Sequence, residues 1–151
     1  MEKKILTFSV NKKGFICLFV ALLLFVPILA ACSGPAGKGT AALFQDLNTA
    51  DAFRLVQDNQ SQADFVILDV RTQSEYSEGH IAGAILIDYY LRNFKDRLAG
   101  LDREKRYFVY CRLGNRSSQA ASTMTALGSR RVFNLDAGIV DWTKAGYPLV
   151  K

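Results

Sequence analysis

The chain has 151 residues, half of them apolar, which is enough to build one packed domain with its own core. Its formal net charge of +5 comes largely from one end, because without the four lysines and one glutamate of residues 2–13 the chain keeps 15 basic and 13 acidic residues. The remaining charges are scattered, with no basic stripe and no interleaved aromatic row, so the composition argues against a nucleic-acid-binding protein.

The first 32 residues predict an export signal, because lysines come first and an uncharged apolar stretch follows over 14–31. The tetrapeptide LAAC that ends at Cys32 resembles the bacterial lipobox, in which the cysteine is lipidated and becomes the first residue of the mature protein. We therefore expect residues 1–31 to be a signal peptide and Cys32 to anchor the protein to the periplasmic or extracytoplasmic face of a bacterial membrane. An uncleaved transmembrane segment is the alternative, although Pro27 interrupts the stretch.

A glycine-containing stretch over 32–42 predicts a flexible tether, followed by a folded domain over 43–151. Cys17 would be lost with the signal peptide and Cys32 would carry lipid, so Cys111 would be the single free thiol of the mature protein. A leftover cysteine in an exported protein indicates either a reactive thiol or an intermolecular disulfide.

Within the predicted domain, the hydrophobic pattern alternates between strands and helices. Apolar runs predict strands over 43–47, 65–68, 84–87, 107–110 and 132–135. Apolar residues at helical spacing predict helices over 48–58, 90–98, 117–127 and 139–144. This alternation predicts an α/β fold with a mainly parallel central sheet and helices on both faces. Functional sites in such folds lie at the carboxyl ends of the strands, where both Asp69 and Cys111 are found.

The most informative segment is the loop that follows the fourth predicted strand. Cys111 ends that strand, and a short loop leads into the helix over 117–127. Such a loop points backbone N–H groups and the positive end of a helix dipole at the sulfur, and both lower the pKa of a thiol. Arg112 and Arg116 carry guanidinium groups that suit oxyanions, and Gly114 can adopt a positive φ. The segment therefore predicts a thiolate that meets an anion.

Several short motifs, in this order, resemble those of single-domain rhodaneses, a family of sulfurtransferases. They are DVR at 69–71, EY at 75–76, GHIAGA at 79–84, CRLGNRS at 111–117, GI at 138–139, Trp142 and GYP at 146–148. The resemblance covers nearly the whole predicted domain and implies a rhodanese-like three-layer α/β fold. Ala137 departs from the pattern, because the family often has a second glycine before Gly138, and we expect only a local change of that turn.

The resemblance implies that Cys111 takes sulfane sulfur from thiosulfate or a similar anionic donor, as a persulfide, and passes it to an acceptor such as cyanide or a thiol. It implies neither a cofactor nor a metal. Asp69 and Arg71 are expected to support the site. The expected donor-binding residues are those of the loop, namely Arg112, Leu113, Gly114, Asn115, Arg116 and Ser117.

Four residues near these motifs have structural interpretations. His80, the single histidine of the chain, is expected to hydrogen-bond its own loop, because a thiolate that is already formed needs no general base. Glu75 and Arg71 are expected to pair or to cap rather than to react. Trp142 is expected to lie in the core.

Three other functional classes stay open. A phosphatase or arsenate reductase of the related fold also uses a cysteine loop, but its common pattern places an arginine after five intervening residues. Here Arg116 follows Cys111 after four, and a shorter loop favours a sulfur atom over a phosphate-sized group. A non-catalytic rhodanese module that binds a partner often lacks the cysteine, which this chain keeps. A dedicated persulfide carrier would share every feature of the enzyme.

Overall fold

The computed structural model describes residues 44–151. Its strands are β1 (Gln45–Leu47), β2 (Phe65–Asp69), β3 (Ile85–Leu86), β4 (Arg106–Tyr110) and β5 (Arg131–Leu135). Its helices are α1 (Thr49–Asn59), α2 (Gln73–Glu78), α3 (Phe94–Ala99), α4 (Asn115–Ala126) and α5 (Gly138–Lys144). None of these helices is long and apolar enough to cross a membrane. The predicted signal peptide, the lipidation of Cys32 and the tether over 32–42 lie outside the described residues and stay predictions.

The five strands form one parallel sheet in the order β1-β5-β4-β2-β3. Strand β4 lies in the middle of the sheet, where Val109 is paired with Leu68 of β2 on one side and Asn134 of β5 on the other. Its continuous apolar run is typical of a strand that helices cover on both faces. The structure thus confirms the predicted α/β fold with a parallel sheet between two helical layers.

Each face of the sheet has its own core, because successive side chains of a strand point to opposite sides. Phe108 and Tyr110 of β4 pack on one face together with Trp142 of α5. Tyr107 and Val109 pack on the other face together with Met124 of α4, and Cys111 belongs to this second core. Trp142 is buried, as predicted, and its indole N–H donates to the carbonyl oxygen of Pro148 at 3.2 Å.

Three predicted elements are shorter than expected, and the first is the strand over 43–47, which begins only at Gln45. The predicted strand over 84–87 is reduced to the two residues of β3, and Ile85 is 44% exposed because β3 is the edge of the sheet. The predicted helix over 90–98 begins only at Phe94. The carboxylate of Asp88 accepts a hydrogen bond from the backbone N–H of Tyr90 at 2.9 Å, which holds this segment in a turn rather than in a helix.

Helix α2 was not predicted, although its start carries a recognisable signal. The Thr72 hydroxyl accepts from the backbone N–H of Glu75, and the Glu75 carboxylate accepts from the backbone N–H of Thr72. This reciprocal arrangement is a capping box, whose T-x-x-E pattern is visible in the sequence. With only six residues, the helix offers too little apolar periodicity to be detected by hydrophobic pattern.

A buried ion pair at the end of β2 joins two segments of the chain. The guanidinium of Arg71 donates to the carboxylate of Asp69 at 2.6 Å and to the carbonyl oxygen of Gly79 at 2.8 Å. The carboxylate of Asp69 also accepts from the backbone N–H of Arg71, and both side chains are almost completely buried. The pair therefore fixes the turn after β2 to the end of α2, directly beside the strand that leads to Cys111.

We expect Arg71→Ala to lower the free energy of unfolding by about 3–5 kcal/mol, because the Asp69 carboxylate would stay buried without its partner. Urea unfolding at pH 7 measures the loss. Arg54→Ala is the control, since it removes an exposed pair with Asp51 and should cost less than about 1 kcal/mol. Equal losses in the two variants would contradict the role given to the buried pair.

Candidate active site

The thiol of Cys111 lies at the carboxyl edge of the sheet, one residue after the end of β4. The residue is 1% exposed, and Asp69 ends the neighbouring strand β2 at the same edge, opposite Tyr110. This is the edge at which parallel α/β sheets place their sites. The structure therefore brings Cys111 and Asp69 to the common edge that the sequence predicts.

The loop after Cys111 packs backbone against backbone on the turn between β5 and α5. Gly114 has φ of 88°, and a Cβ atom there would lie 1.7 Å from the carbonyl oxygen of Asp136. Gly138 has φ of 68°, and its Cβ would lie 2.4 Å from the carbonyl oxygen of Arg112. A side chain fits at neither position. Ala137, the departure from the family pattern, has an ordinary right-handed conformation with φ of −85°, so it needs no glycine.

The thiol is surrounded by hydrogen-bond donors. The Ser117 hydroxyl lies 3.5 Å from the Cys111 sulfur and 2.9 Å from the carbonyl oxygen of Gly114. Burial raises the pKa of the Cys111 thiol, but hydrogen bonds from the Ser117 hydroxyl and from the backbone N–H groups of Ser117, Leu113 and Arg116 outweigh burial. The net pKa is lowered from its ordinary value of 9.0, so the loop favours the thiolate, which is the nucleophilic form.

Above the thiol, the surface forms a depression of about 450 Å³. Most of the predicted loop residues line the depression. Gly114 and Ser117 do not, because they are buried beneath it. Three lining residues were not predicted as part of the site: Thr72, Glu75 and Tyr90. The full lining is Thr72, Glu75, Tyr90, Cys111, Arg112, Leu113, Asn115 and Arg116.

The two loop arginines differ in their surroundings. Arg112 is exposed at the mouth of the depression. Arg116 is held by Glu75, to which its two terminal nitrogens donate at 2.9 and 2.7 Å, and its guanidinium carbon lies 5.6 Å from the ring centre of Tyr90. The Arg116 guanidinium lowers the pKa of the Glu75 carboxyl to about 2. Glu75 therefore both pairs and caps, and it links α2 to the first turn of α4.

His80 and Arg71 lie outside the depression above the thiol. The imidazole of His80 stacks on the ring of Tyr76 with 3.7 Å between ring centres, and its Nδ1 lies 3.2 Å from the Tyr76 carbonyl oxygen. Its backbone pairs with Val150. These contacts fit the structural role expected of His80. Arg71 lies beneath the site in its pair with Asp69, where it supports the chain rather than the substrate.

We expect Ser117→Ala to raise the pKa of the Cys111 thiol, because the variant removes a hydroxyl that can donate its proton to the thiolate in place of the Gly114 carbonyl oxygen. The rate of iodoacetamide modification of the Cys111 peptide, followed by mass spectrometry against pH, reports this pKa. The wild-type midpoint should lie below 9.0, and the variant midpoint should move upward. Ser129→Ala, at another buried serine, should leave the midpoint in place. An unchanged midpoint in Ser117→Ala would contradict the role of the hydroxyl.

We expect Glu75→Gln to lower the free energy of unfolding at pH 7 by about 1–3 kcal/mol, because hydrogen bonds to charged groups are stronger than neutral ones. The lowered pKa of Glu75 stabilises the fold above its ordinary value of 4.5, and this contribution is lost as the pH falls towards about 2. The difference between wild type and variant should therefore shrink over that interval in urea unfolding. Glu78→Gln, at an exposed position of the same helix, is the control. Parallel pH curves for wild type and Glu75→Gln would contradict the assignment.

Comparisons with known proteins place this fold and its cysteine loop in a family. Residues 52–145 match the Rhodanese-like domain. A sulfurtransferase of Allochromatium vinosum is 32% identical over 104 residues, which are 69% of this chain and 95% of that protein. The thiosulfate sulfurtransferase GlpE of Coxiella burnetii is 31% identical over 106 residues, or 70% of this chain and 92% of that protein.

The structural comparison agrees with the sequence comparison. The crystal structure of a rhodanese-related protein from Thermoplasma volcanium superposes with a TM-score of 0.60 at 32% identity, and the match covers 71% of this chain and 98% of that one. The family match over residues 52–145 includes every strand of the sheet except β1, and it contains the loop from Cys111 to Ser117. The chain therefore belongs to the rhodanese-like domain family.

Proposed function

We propose that this protein is a sulfurtransferase that moves sulfane sulfur from thiosulfate, or a similar anionic donor, to a thiophilic acceptor through a persulfide on Cys111. The observation that carries the proposal is the buried thiol at the carboxyl edge of the sheet, with a lowered pKa and donors on the loop around it. The relatives named as sulfurtransferases support sulfur transfer as the general activity.

In the first step, the Cys111 thiolate attacks the outer sulfur of thiosulfate. The new S–S bond forms on Cys111 while the S–S bond of the donor breaks, and the electron pair leaves with sulfite. Arg112 would hold the sulfonate oxygens, and its exposure on the lining of the depression supports this role. The N–H groups of Leu113, Arg116 and Ser117 that stabilise the thiolate would also stabilise the persulfide anion.

In the second step, the acceptor attacks the terminal sulfur of the persulfide. The S–S bond breaks, its electron pair returns to Cys111 as the thiolate, and the acceptor leaves with the sulfur, as thiocyanate when the acceptor is cyanide. No external oxidant or reductant is needed over the cycle. The lowered pKa of the Cys111 thiol favours the nucleophilic form and so lessens the need for a general base.

The length of the loop and the pairing of Arg116 both argue for sulfur rather than phosphate as the group transferred. Four residues separate Cys111 from Arg116, and the guanidinium of Arg116 is bonded to Glu75 through both terminal nitrogens. A phosphate bound above Cys111 would have to compete with this carboxylate for the arginine. A persulfide sulfur makes no such demand, because backbone N–H groups suffice for it.

Thiocyanate formation from thiosulfate and cyanide tests the proposal with the full chain in mild detergent. We expect turnover in the wild type and a loss of at least about 1000-fold in Cys111→Ser, because the hydroxyl is a far weaker nucleophile than the thiolate. With thiosulfate alone, the wild-type Cys111 peptide should gain about 32 Da, the mass of one sulfur atom.

The circular dichroism of Cys111→Ser should match that of the wild type, so that lost turnover is not lost folding. Turnover that survives in Cys111→Ser would contradict the proposal. A persulfide that forms without thiocyanate release would instead identify a dedicated carrier, and the absence of both would contradict sulfur chemistry at Cys111.

A further inference from the structure

A carboxylate lies on the wall of the depression above the thiol. Among the described residues that line the depression, Glu75 is the only acidic one. Its side chain is 20% exposed, so its charge is not fully hidden from a bound molecule. A carboxylate repels anions, and the mechanism proposed above gives Glu75 no step. Glu75 therefore bears on which anions bind at the site rather than on the bonds that break there.

The carboxylate of Glu75 takes up the hydrogen-bonding capacity of Arg116. The two terminal nitrogens of Arg116 donate to the two carboxylate oxygens at 2.9 and 2.7 Å. Guanidinium groups bind carboxylates and phosphates through this same paired arrangement. The Glu75 carboxylate also accepts from the backbone N–H of Thr72 at 3.0 Å, which holds it in place. The face of Arg116 that could bind a tetrahedral oxyanion is thus already occupied by a group fixed to the protein.

Arg116 lies close to the reactive sulfur and deeper in the site than Arg112. Its backbone N–H is one of the groups that stabilise the Cys111 thiolate. Hydrogen bonds to Glu75 raise the pKa of Arg116 against the effect of burial, and the charge of the thiolate raises it further. The side chain of Arg116 is 16% exposed, whereas Arg112 is exposed. An anion seated directly on the loop would therefore meet Arg116, and an anion that extends outward would meet Arg112.

Thiosulfate and sulfate differ in which of these arginines they need. When the outer sulfur of thiosulfate meets Cys111, its sulfonate group stands one S–S bond farther out, towards Arg112. Sulfate has no outer sulfur, so its oxygens must approach the loop itself, beside Arg116 and the carboxylate of Glu75. Pairing of Arg116 with Glu75 therefore weakens the binding of sulfate more than the binding of thiosulfate.

We propose that Glu75 is a specificity-determining residue, which keeps Arg116 from binding oxyanions that lack a transferable sulfur, with sulfate as their representative. The favoured anion is one that reaches from Cys111 to Arg112. The proposal rests on the proposed function only for the identity of that favoured donor. The withholding of Arg116 from sulfate can be measured without any sulfur transfer.

Protection of Cys111 from iodoacetamide by sodium sulfate measures the Kd for sulfate in the full chain, in mild detergent and at constant ionic strength. Mass spectrometry of the Cys111 peptide follows the modification. We expect Glu75→Gln to lower this Kd about three- to tenfold, because the neutral amide releases guanidinium N–H groups to the oxyanion. Glu78→Gln is the matched control, since it removes the same charge from an exposed position of the same helix, outside the depression. It should leave the Kd at the wild-type value.

The double variant Glu75→Gln/Arg116→Gln separates a released arginine from a general gain in positive charge. It should lose the tighter sulfate binding, because the guanidinium that supplies it is gone. Circular dichroism of each variant should match that of the wild type. An unchanged Kd in Glu75→Gln, or tighter binding that persists in the double variant, would overturn the proposal.

Inhibition of thiocyanate formation by sulfate tests the preference between the two anions. In Glu75→Gln, the ratio of the Ki for sulfate to the KM for thiosulfate should fall at least about threefold, because thiosulfate gains less from Arg116. An equal fall of both constants would overturn the assigned specificity. Absence of thiocyanate together with the expected shift of the sulfate Kd would overturn the proposed reaction and support the masking of Arg116 by Glu75.

Discussion

The site depends on one contact in which two stretches of backbone meet without side chains between them. The loop after Cys111 and the turn after β5 approach so closely that Gly114 and Gly138 have no room for a Cβ atom. Because interiors are densely packed, the position of one stretch fixes the other. At the same contact the backbone N–H of Ile139 joins α5 to the carbonyl oxygen of Cys111. The surroundings of the thiol therefore depend on the turn after β5 as well as on the loop that carries Cys111.

The charged side chains beneath the site and those at its surface have different surroundings. Under the site, the Asp69–Arg71 pair is buried and its hydrogen bonds are satisfied, which suits a role in fixing the chain. At the surface, Arg116 is paired with Glu75 while Arg112 is exposed. Two arginines that look equivalent in the loop sequence therefore have different tasks. Arg116 ties α4 to α2, and Arg112 keeps its guanidinium available at the mouth.

The sequence predicts the central strands well, because they are mostly apolar and most of their residues are buried. It predicts the start of α1 for a different reason, because Asn48 is a residue type that caps helices and its side chain accepts from the backbone N–H of Asp51 at 2.9 Å. It overestimates the segment after β3, because the hydrogen bond from Tyr90 to Asp88 is a local polar contact that hydrophobic periodicity does not report. It misses α2, although the capping pattern from Thr72 to Glu75 was available.

For the candidate site, the reactive residue and its loop could be identified from the order strand, cysteine, glycine and helix. The pairing of Arg116 could not, because Glu75 lies 41 positions earlier in the chain and the two meet only through the fold. Tyr90 is likewise brought to the depression by a turn, without any pattern in the sequence around it. Local chemistry was therefore predictable, whereas partners from distant segments were not.

The short strands at the two sides of the sheet have a consequence for how copies of this protein meet. Strands β1 and β3, which form the edges, have three and two residues, whereas the three inner strands have five each. An exposed strand edge is a template for pairing with another chain, and natural proteins limit that risk by keeping edge strands short. Such brief edges offer few free backbone groups for self-association, even where many copies are crowded together. The long, apolar strands that could propagate a fibre are enclosed, and the strand that leads to the thiol is the most protected of them.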